Sequence, residues 1–94
     1  MSPNEYLDAL TLRAEALARK MRGYGEGGTL FQAAGDPAAI LAILAPRLGE
    51  VERLMDTHDR SLERSALYAE MADLAEDCAS HVAQMARAHR RALA

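Results

Sequence analysis

The sequence predicts an all-α fold, a small bundle of three or four helices, for three reasons. The composition is rich in Ala, Leu and Met, with only 4% aromatic residues and no Trp, which favours helices over strands. Apolar residues recur at spacings of three and four, and no run alternates with a period of two. We expect helices at about 3–22, 37–45, 46–58 and 61–92, a Gly-rich loop at 23–35, and one helical domain over 1–94.

The first helix has a complete start signal. Ser2 can cap it, Pro3 suits the first helical position, and Glu5 completes an S-x-x-E capping box. Gly23 is a natural stop at the other end. Between these ends the apolar residues form one stripe: Leu7, Leu10, Ala14, Leu17 and Met21.

The segment from 23 to 35 begins with a literal G-x-G-x-x-G, Gly23 to Gly28. A dinucleotide fingerprint requires a strand before the first glycine, and here a helix precedes it. The pattern therefore indicates a flexible linker or partner-binding loop, on which the helix at 1–22 could move. Phe31, the one Phe of the chain, is expected to anchor this loop on the core.

The middle of the chain has a second start signal and two interruptions. Asp36-Pro37 repeats the cap-then-proline pattern. Pro46 must end or bend the helix that follows, so either a new helix starts there or a bent helix continues. The apolar stripe then slips between Leu62 and Leu67, which favours a turn near 58–61 over one long bent helix from 46 to 92.

The last helix is apolar over an unusually wide arc. One face carries Leu67, Met71, Leu74, Cys78 and Met85. A second face carries Tyr68 and the alanines 72, 75, 79, 83 and 86. Together they cover roughly 200° of the helix, more than the single stripe of a surface helix. This width predicts packing on two sides, and hence a second copy or a partner protein.

Cys78 and His81 are the candidates for metal or thiol chemistry. The C-x-x-H spacing can direct two donors to one point, as an alternative metal-binding bundle would require. Met85 and His89 extend this face over three turns, too far for one ion, so we expect neither a metal nor a cofactor. The acidic residues beside Cys78, Glu76 and Asp77, would raise the pKa of the thiol, which argues against a catalytic cysteine.

Carboxylates form an acidic patch on the second half of the chain: Glu52, Asp56, Asp59, Glu63, Glu70, Asp73 and Asp77. A solvated face that suits a basic partner is the simplest interpretation. Mg²⁺ binding is the alternative, because clustered carboxylates are the ligands that this ion prefers.

Glu70-x-x-Asp73, within "EMADLAED", resembles the E-x-x-D half of the all-α nucleotide pyrophosphohydrolases related to MazG. That family pairs it with E-x-x-E on a preceding helix. Here the preceding segment reads Glu50-Val51-Glu52-Arg53, with Arg53 in place of the second Glu. The resemblance implies Mg²⁺-dependent release of pyrophosphate through Glu70 and Asp73.

Charge and composition exclude several classes of function. A formal net charge of −3 and a pI near 5.5 argue against a nucleic-acid surface. The sequence shows no signal peptide, its longest apolar stretch (37–46) is too short to span a membrane, and its one cysteine forms no internal disulfide. A cytoplasmic setting is expected. The abundance of Ala and Arg over Lys is typical of a high-GC bacterial or phage genome.

The sequence therefore predicts a non-enzymatic protein–protein interaction module. We expect a small intracellular adaptor, inhibitor or chaperone-like subunit, acting as a homodimer or within a larger assembly. Its partner is another protein, with no nucleic acid and no membrane. The candidate contact residues are the aromatic and large apolar ones of the loop and the last helix: Tyr24, Phe31, Leu67, Tyr68, Met71, Leu74 and Met85.

Overall fold

A computed structural model confirms the all-α bundle. It describes residues 2–23, 25, 27–57 and 62–93, and the side chains of these residues outside 51–65. The described residues form four helices and no strand: α1 (Pro3–Arg22), α2 (Gly28–Gln32), α3 (Pro37–Thr57) and α4 (Leu62–Leu93). None of these helices is both long and apolar enough to cross a bilayer.

The starts of α1 and α3 are capped as predicted. The Glu5 amide donates to Ser2 Oγ at 3.2 Å, and the Ser2 amide donates to Glu5 Oε2 at 3.4 Å, which completes the capping box. At α3 the amides of Ala38 and Ala39 donate to Asp36 Oδ1, at 3.1 and 3.4 Å. These local signals fix where both helices begin.

The segment from 23 to 35 is more regular than predicted, because it contains the one-turn helix α2. Leu30 holds α2 on the core and is only 1% exposed. Phe31 is 39% exposed, with the Arg22 guanidinium 5.4 Å from its ring centroid. The prediction that Phe31 anchors this segment is therefore wrong, since the neighbouring Leu30 has that position. Tyr24 lies outside the described residues.

The helix α3 runs through Pro46 without interruption, so the predicted boundary between 45 and 46 is wrong and the continuous alternative is correct. A proline inside a helix costs about 3 kcal/mol. Burial of one large aliphatic side chain contributes about 1.5–3 kcal/mol. Ile40 and Leu44 are fully buried before the proline and Leu48 packs on the core after it, so burial outweighs the cost. The predicted turn at 58–61 lies outside the described residues.

One contiguous core joins the four helices. Three contacts show that α1 runs antiparallel to α4, because rising numbers on one helix meet falling numbers on the other: Tyr6 with His81, Arg13 with Asp77, and Lys20 with Glu70. The largest fully buried side chains come from all four helices: Leu10, Leu30, Ile40, Leu44, Met71, Leu74 and Cys78.

The helix α4 extends past the others. Its 32 residues rise about 1.5 Å each, close to the 50 Å length of the molecule. Tyr6, near the start of α1, already lies beside His81. Every residue from 83 to 93 is exposed, and we call this stretch the distal segment.

Candidate functional site

Three of the predicted contact residues are occupied within their own chain. Leu67, Met71 and Leu74 are 7%, 1% and 1% exposed and belong to the core. Periodicity identified an apolar stripe correctly, but that stripe packs against the rest of the chain. These side chains do not lie on a surface that a partner could contact.

The other predicted contact residues lie at or near the surface. Tyr68 is half-buried and packs against the core. Met85 is 53% exposed, in the distal segment. Phe31 is on α2, at the other end of α1 from the Tyr6–His81 contact. The structure therefore does not bring Phe31 together with Met85.

The second face of α4 is mostly uncovered. Ala75 is 6% exposed, whereas the alanines at 72, 79, 83 and 86 are exposed. The described part of the chain therefore covers one side of α4. The second contact that the wide apolar arc predicts is not formed by the described residues.

The distal segment differs from the rest of the chain in charge. It contains Arg87, Arg90 and Arg91 and no acidic residue, a formal charge of +3. Residues 1–82 hold all fourteen carboxylates and eight of the eleven Lys and Arg residues, a formal charge of −6. The segment also exposes Met85 and Leu93, the latter by 74%. It combines positive charge with exposed apolar side chains.

A cleft lies where the distal segment leaves the bundle. It measures about 390 Å³ and is lined by the start of α1 and by one face of α4: Ser2, Pro3, Tyr6, His81, Gln84 and Met85. The rings of Tyr6 and His81 are 5.7 Å apart between centroids and tilted by 36°. This aromatic pair forms part of the cleft wall, two residues before the distal segment begins.

The members of the predicted acidic patch have different surroundings: two form ion pairs with α1, and one is exposed beside a groove. Lys20 Nζ donates to Glu70 Oε1 at 2.6 Å, and Arg13 Nη1 donates to Asp77 Oδ2 at 2.5 Å. Asp73 is exposed beside a groove of about 270 Å³ between α1 and α4. The remaining members, Glu52, Asp56, Asp59 and Glu63, lie outside the residues whose side chains are described. Glu70 and Asp77 thus form ion pairs between α4 and α1 at the surface.

The thiol of Cys78 is fully buried in the core. Burial raises its pKa, Asp77 raises it further, and the Arg13 guanidinium opposes this by lowering it. The predicted direction is confirmed, but burial contributes more than the neighbouring carboxylate. A neutral, buried thiol is a poor nucleophile and a poor metal ligand.

His81, the second metal candidate, packs against the Tyr6 ring at a tilt. Among the described side chains, no three His, Cys, Asp or Glu residues lie close enough together to hold a metal ion. Sequence spacing placed Cys78 and His81 on one face, but it could not show that the core encloses the first of them.

The glycine run has a packing role. Gly25 and Gly27 have φ angles of +79° and +102°, in the left-handed region that favours glycine. A Cβ on Gly27 would lie 2.5 Å from the carbonyl oxygen of Ala18 on α1. A helix, not a strand, precedes the run, so the nucleotide-binding arrangement is not formed in the described residues.

Two features of the distal segment are absent from the sequence prediction: its length and the exposure of Leu93. A comparison of helix lengths could have indicated the first, because α4 has 32 residues and α1 has 20. Comparison of the chain with protein-family models, curated proteins and solved structures finds no match.

Proposed function

We propose that the chain is a non-enzymatic protein-interaction module, an adaptor, inhibitor or chaperone-like subunit that acts as a homodimer or within a larger assembly. The distal segment of α4 is its contact surface. The observation that carries this proposal is that all residues from 83 to 93 are exposed on a helix whose preceding turns are packed in the core.

The energetics of an unpacked helix support a partner. Isolated helices shorter than about 12–15 residues are marginal in water, and most helical stability in proteins comes from packing. The distal segment has continuous helical backbone, but beyond the cleft at Gln84 and Met85 its residues are exposed and belong to no described core. A protein that covers Met85 and Leu93 would supply that packing.

Composition favours a protein partner. Arg is enriched at protein interfaces and Met adapts its shape to a partner surface. The segment holds three Arg and one Met among its eleven residues. Its positive charge would steer it toward an acidic surface and increase the rate of association.

A differential pull-down tests the proposal. The bait is the full chain, the double variant Met85→Ser/Leu93→Ser, or the control Leu12→Ser. Leu12 is 67% exposed on α1, so the control removes an exposed apolar side chain outside the distal segment. We expect the wild type and the Leu12 variant to retain the same proteins and the double variant to lose them. All three should show the same far-UV circular dichroism.

Two results would contradict the proposal. One is retention of the same proteins by all three baits, which would place the contact surface outside the distal segment. The other is that the wild-type chain retains no protein and shows no self-association.

A further inference from the structure

The exposed arc of α4 carries charges in a regular arrangement. At 100° per residue, and with Leu67 as zero, the buried residues of α4 lie between about 340° and about 80°. The ion pairs to α1 lie at about 280° to 300°. Charged residues occupy the free side, first acidic and then basic along the chain: Asp73, Glu76, Arg87, Arg90 and Arg91.

These charges are aligned but cannot pair within one chain. Glu76 and Arg87 are 11 residues apart, about three turns, and differ by only about 20° in direction. Asp73 and Arg91 are 18 residues apart, five full turns, and point the same way. The separations along the axis are about 16 and 27 Å, far beyond an ion pair. None of the four forms an ion pair with another described residue.

Both pairs have nearly the same midpoint, close to residue 82. A second α4, antiparallel and related by a two-fold axis at this midpoint, would place its Arg87 beside Glu76 and its Arg91 beside Asp73. The symmetry repeats each contact, so four acid–base contacts form at once. A two-fold contact of this kind uses the same patch on both copies.

The rest of the exposed arc fits the same register. Ala79 would lie close to Ala83 of the second copy, and small side chains allow close approach of the two backbones. Leu93, 74% exposed, would lie near the half-buried Tyr68 of the other copy. The contact would run from 68 to 93, about 38 Å of helix, against about 16 Å for the distal segment alone.

We propose that the partner is a second copy of this chain, bound through an antiparallel α4–α4 contact centred near residue 82. This inference rests on the proposed function, because it assigns a partner to the distal segment. The contact uses the free side of that segment and Leu93, whereas Met85, at about 0°, lies on the opposite side of α4 beside the cleft. Charge complementarity between the acidic and basic parts of one exposed arc selects a second copy over an unrelated protein.

Charge-swapped variants test the register. Sedimentation equilibrium of the full chain, up to high micromolar concentration, should show a monomer–dimer equilibrium. Glu76→Arg alone, or Arg87→Glu alone, places like charges together twice and should raise the dissociation constant about tenfold or more. The double variant Glu76→Arg/Arg87→Glu restores both contacts and should recover the dimer.

Mixing the two single variants provides the sharper measurement. The Glu76→Arg chain is basic at both positions and the Arg87→Glu chain is acidic at both, so each variant repels a copy of itself. In a heterodimer of the two, a basic side chain faces an acidic one at both contacts. We therefore expect the mixture to form heterodimers more strongly than either variant forms homodimers. At concentrations below the dissociation constant of the dimer, circular dichroism and thermal unfolding should match the wild type, because both sites are exposed.

A monomeric wild type would overturn the antiparallel dimer, as would a dimer that neither single variant weakens or that the mixture fails to restore. Such results would leave the proposed function standing if the pull-down still depends on Met85 and Leu93. If the pull-down does not depend on Met85 and Leu93 while the dimer still responds to the charge swaps, the contact surface lies away from those two side chains.

Discussion

At the scale of single residues, Gly27 shows how one position joins two elements. Its positive φ starts α2, and its missing side chain lets the backbone approach Ala18 of α1. Glycine adopts such a φ without the strain that a Cβ introduces. The residue therefore fixes the path from α1 to the Leu30 anchor.

Substitution of three glycines separates these effects. Gly25→Ala adds only the strain of a positive φ, about 1–2 kcal/mol, because its Cβ would meet no atom within 4 Å. Gly27→Ala adds a backbone collision and should destabilise the fold by a clearly larger amount. Gly28→Ala meets no atom and lies in α2, so it should be neutral or stabilising. Urea unfolding measures all three; equal losses for Gly25→Ala and Gly27→Ala would contradict the packing role.

Cys78 makes stability depend on alkaline pH. Burial raises the pKa of its thiol in the folded chain, so the unfolded chain loses that proton first as the pH rises. Above about pH 8.5, the usual thiol pKa, the unfolded state is therefore favoured and stability falls. Below that pH both states keep the thiol proton, and the contribution of Cys78 to the free energy of unfolding is fully present.

The comparison with Cys78→Ala isolates this effect, since the other titrating groups are common to both chains. The wild type should be more stable at pH 7, because alanine leaves a cavity. Its advantage should shrink between about pH 8 and pH 10 in urea unfolding. An advantage that stays constant or grows over this range would be inconsistent with a buried neutral thiol.

At the scale of elements, α3 shows a conflict between local preference and packing. Pro46 removes a backbone donor in the interior of the helix, and the helix continues because Ile40 and Leu44 are buried. We expect Pro46→Ala to raise the free energy of unfolding by about 1–3 kcal/mol, since Pro46 is exposed and alanine is the better helix former.

Gly49→Ala is the matched control for this change. Gly49 also lies within α3, and a Cβ there meets no atom within 4 Å, so its replacement reports helix preference alone, about 1 kcal/mol. Guanidinium unfolding should give the larger gain for Pro46→Ala. A loss of stability in that variant would mean that the packing of α3 needs the proline.

The ends of helices could be predicted from the sequence where the signals are local. Ser2, Pro3 and Glu5 act within one turn, and α1 has the predicted bounds, 3–22. The sequence could not show what an apolar stripe packs against, because periodicity is the same whether the stripe faces the chain's own core or a partner. Leu74 and Met85 share one face, yet the first is 1% exposed and the second 53%. Only the relative lengths and register of α1 and α4 separate them.

At the scale of the whole molecule, the part that extends beyond the bundle is also the part with the opposite charge. The bundle carries −6 and the distal segment +3, and the segment extends along the 50 Å axis. When the basic segment of one molecule lies along the acidic part of another, and the reverse, opposite charges are brought together. This arrangement predicts that ionic strength controls association.

Salt should weaken the proposed dimer, because the Debye length falls from about 10 Å at 0.1 M to about 3 Å at 1 M ionic strength. The acid–base contacts involve exposed side chains, which salt screens well. We expect the dissociation constant from sedimentation equilibrium to rise steadily with NaCl. The double charge swap should show the same slope, because it keeps the number of opposite-charge contacts. An association that salt strengthens would indicate that burial of apolar side chains such as Leu93 dominates, and that charge does not set the register.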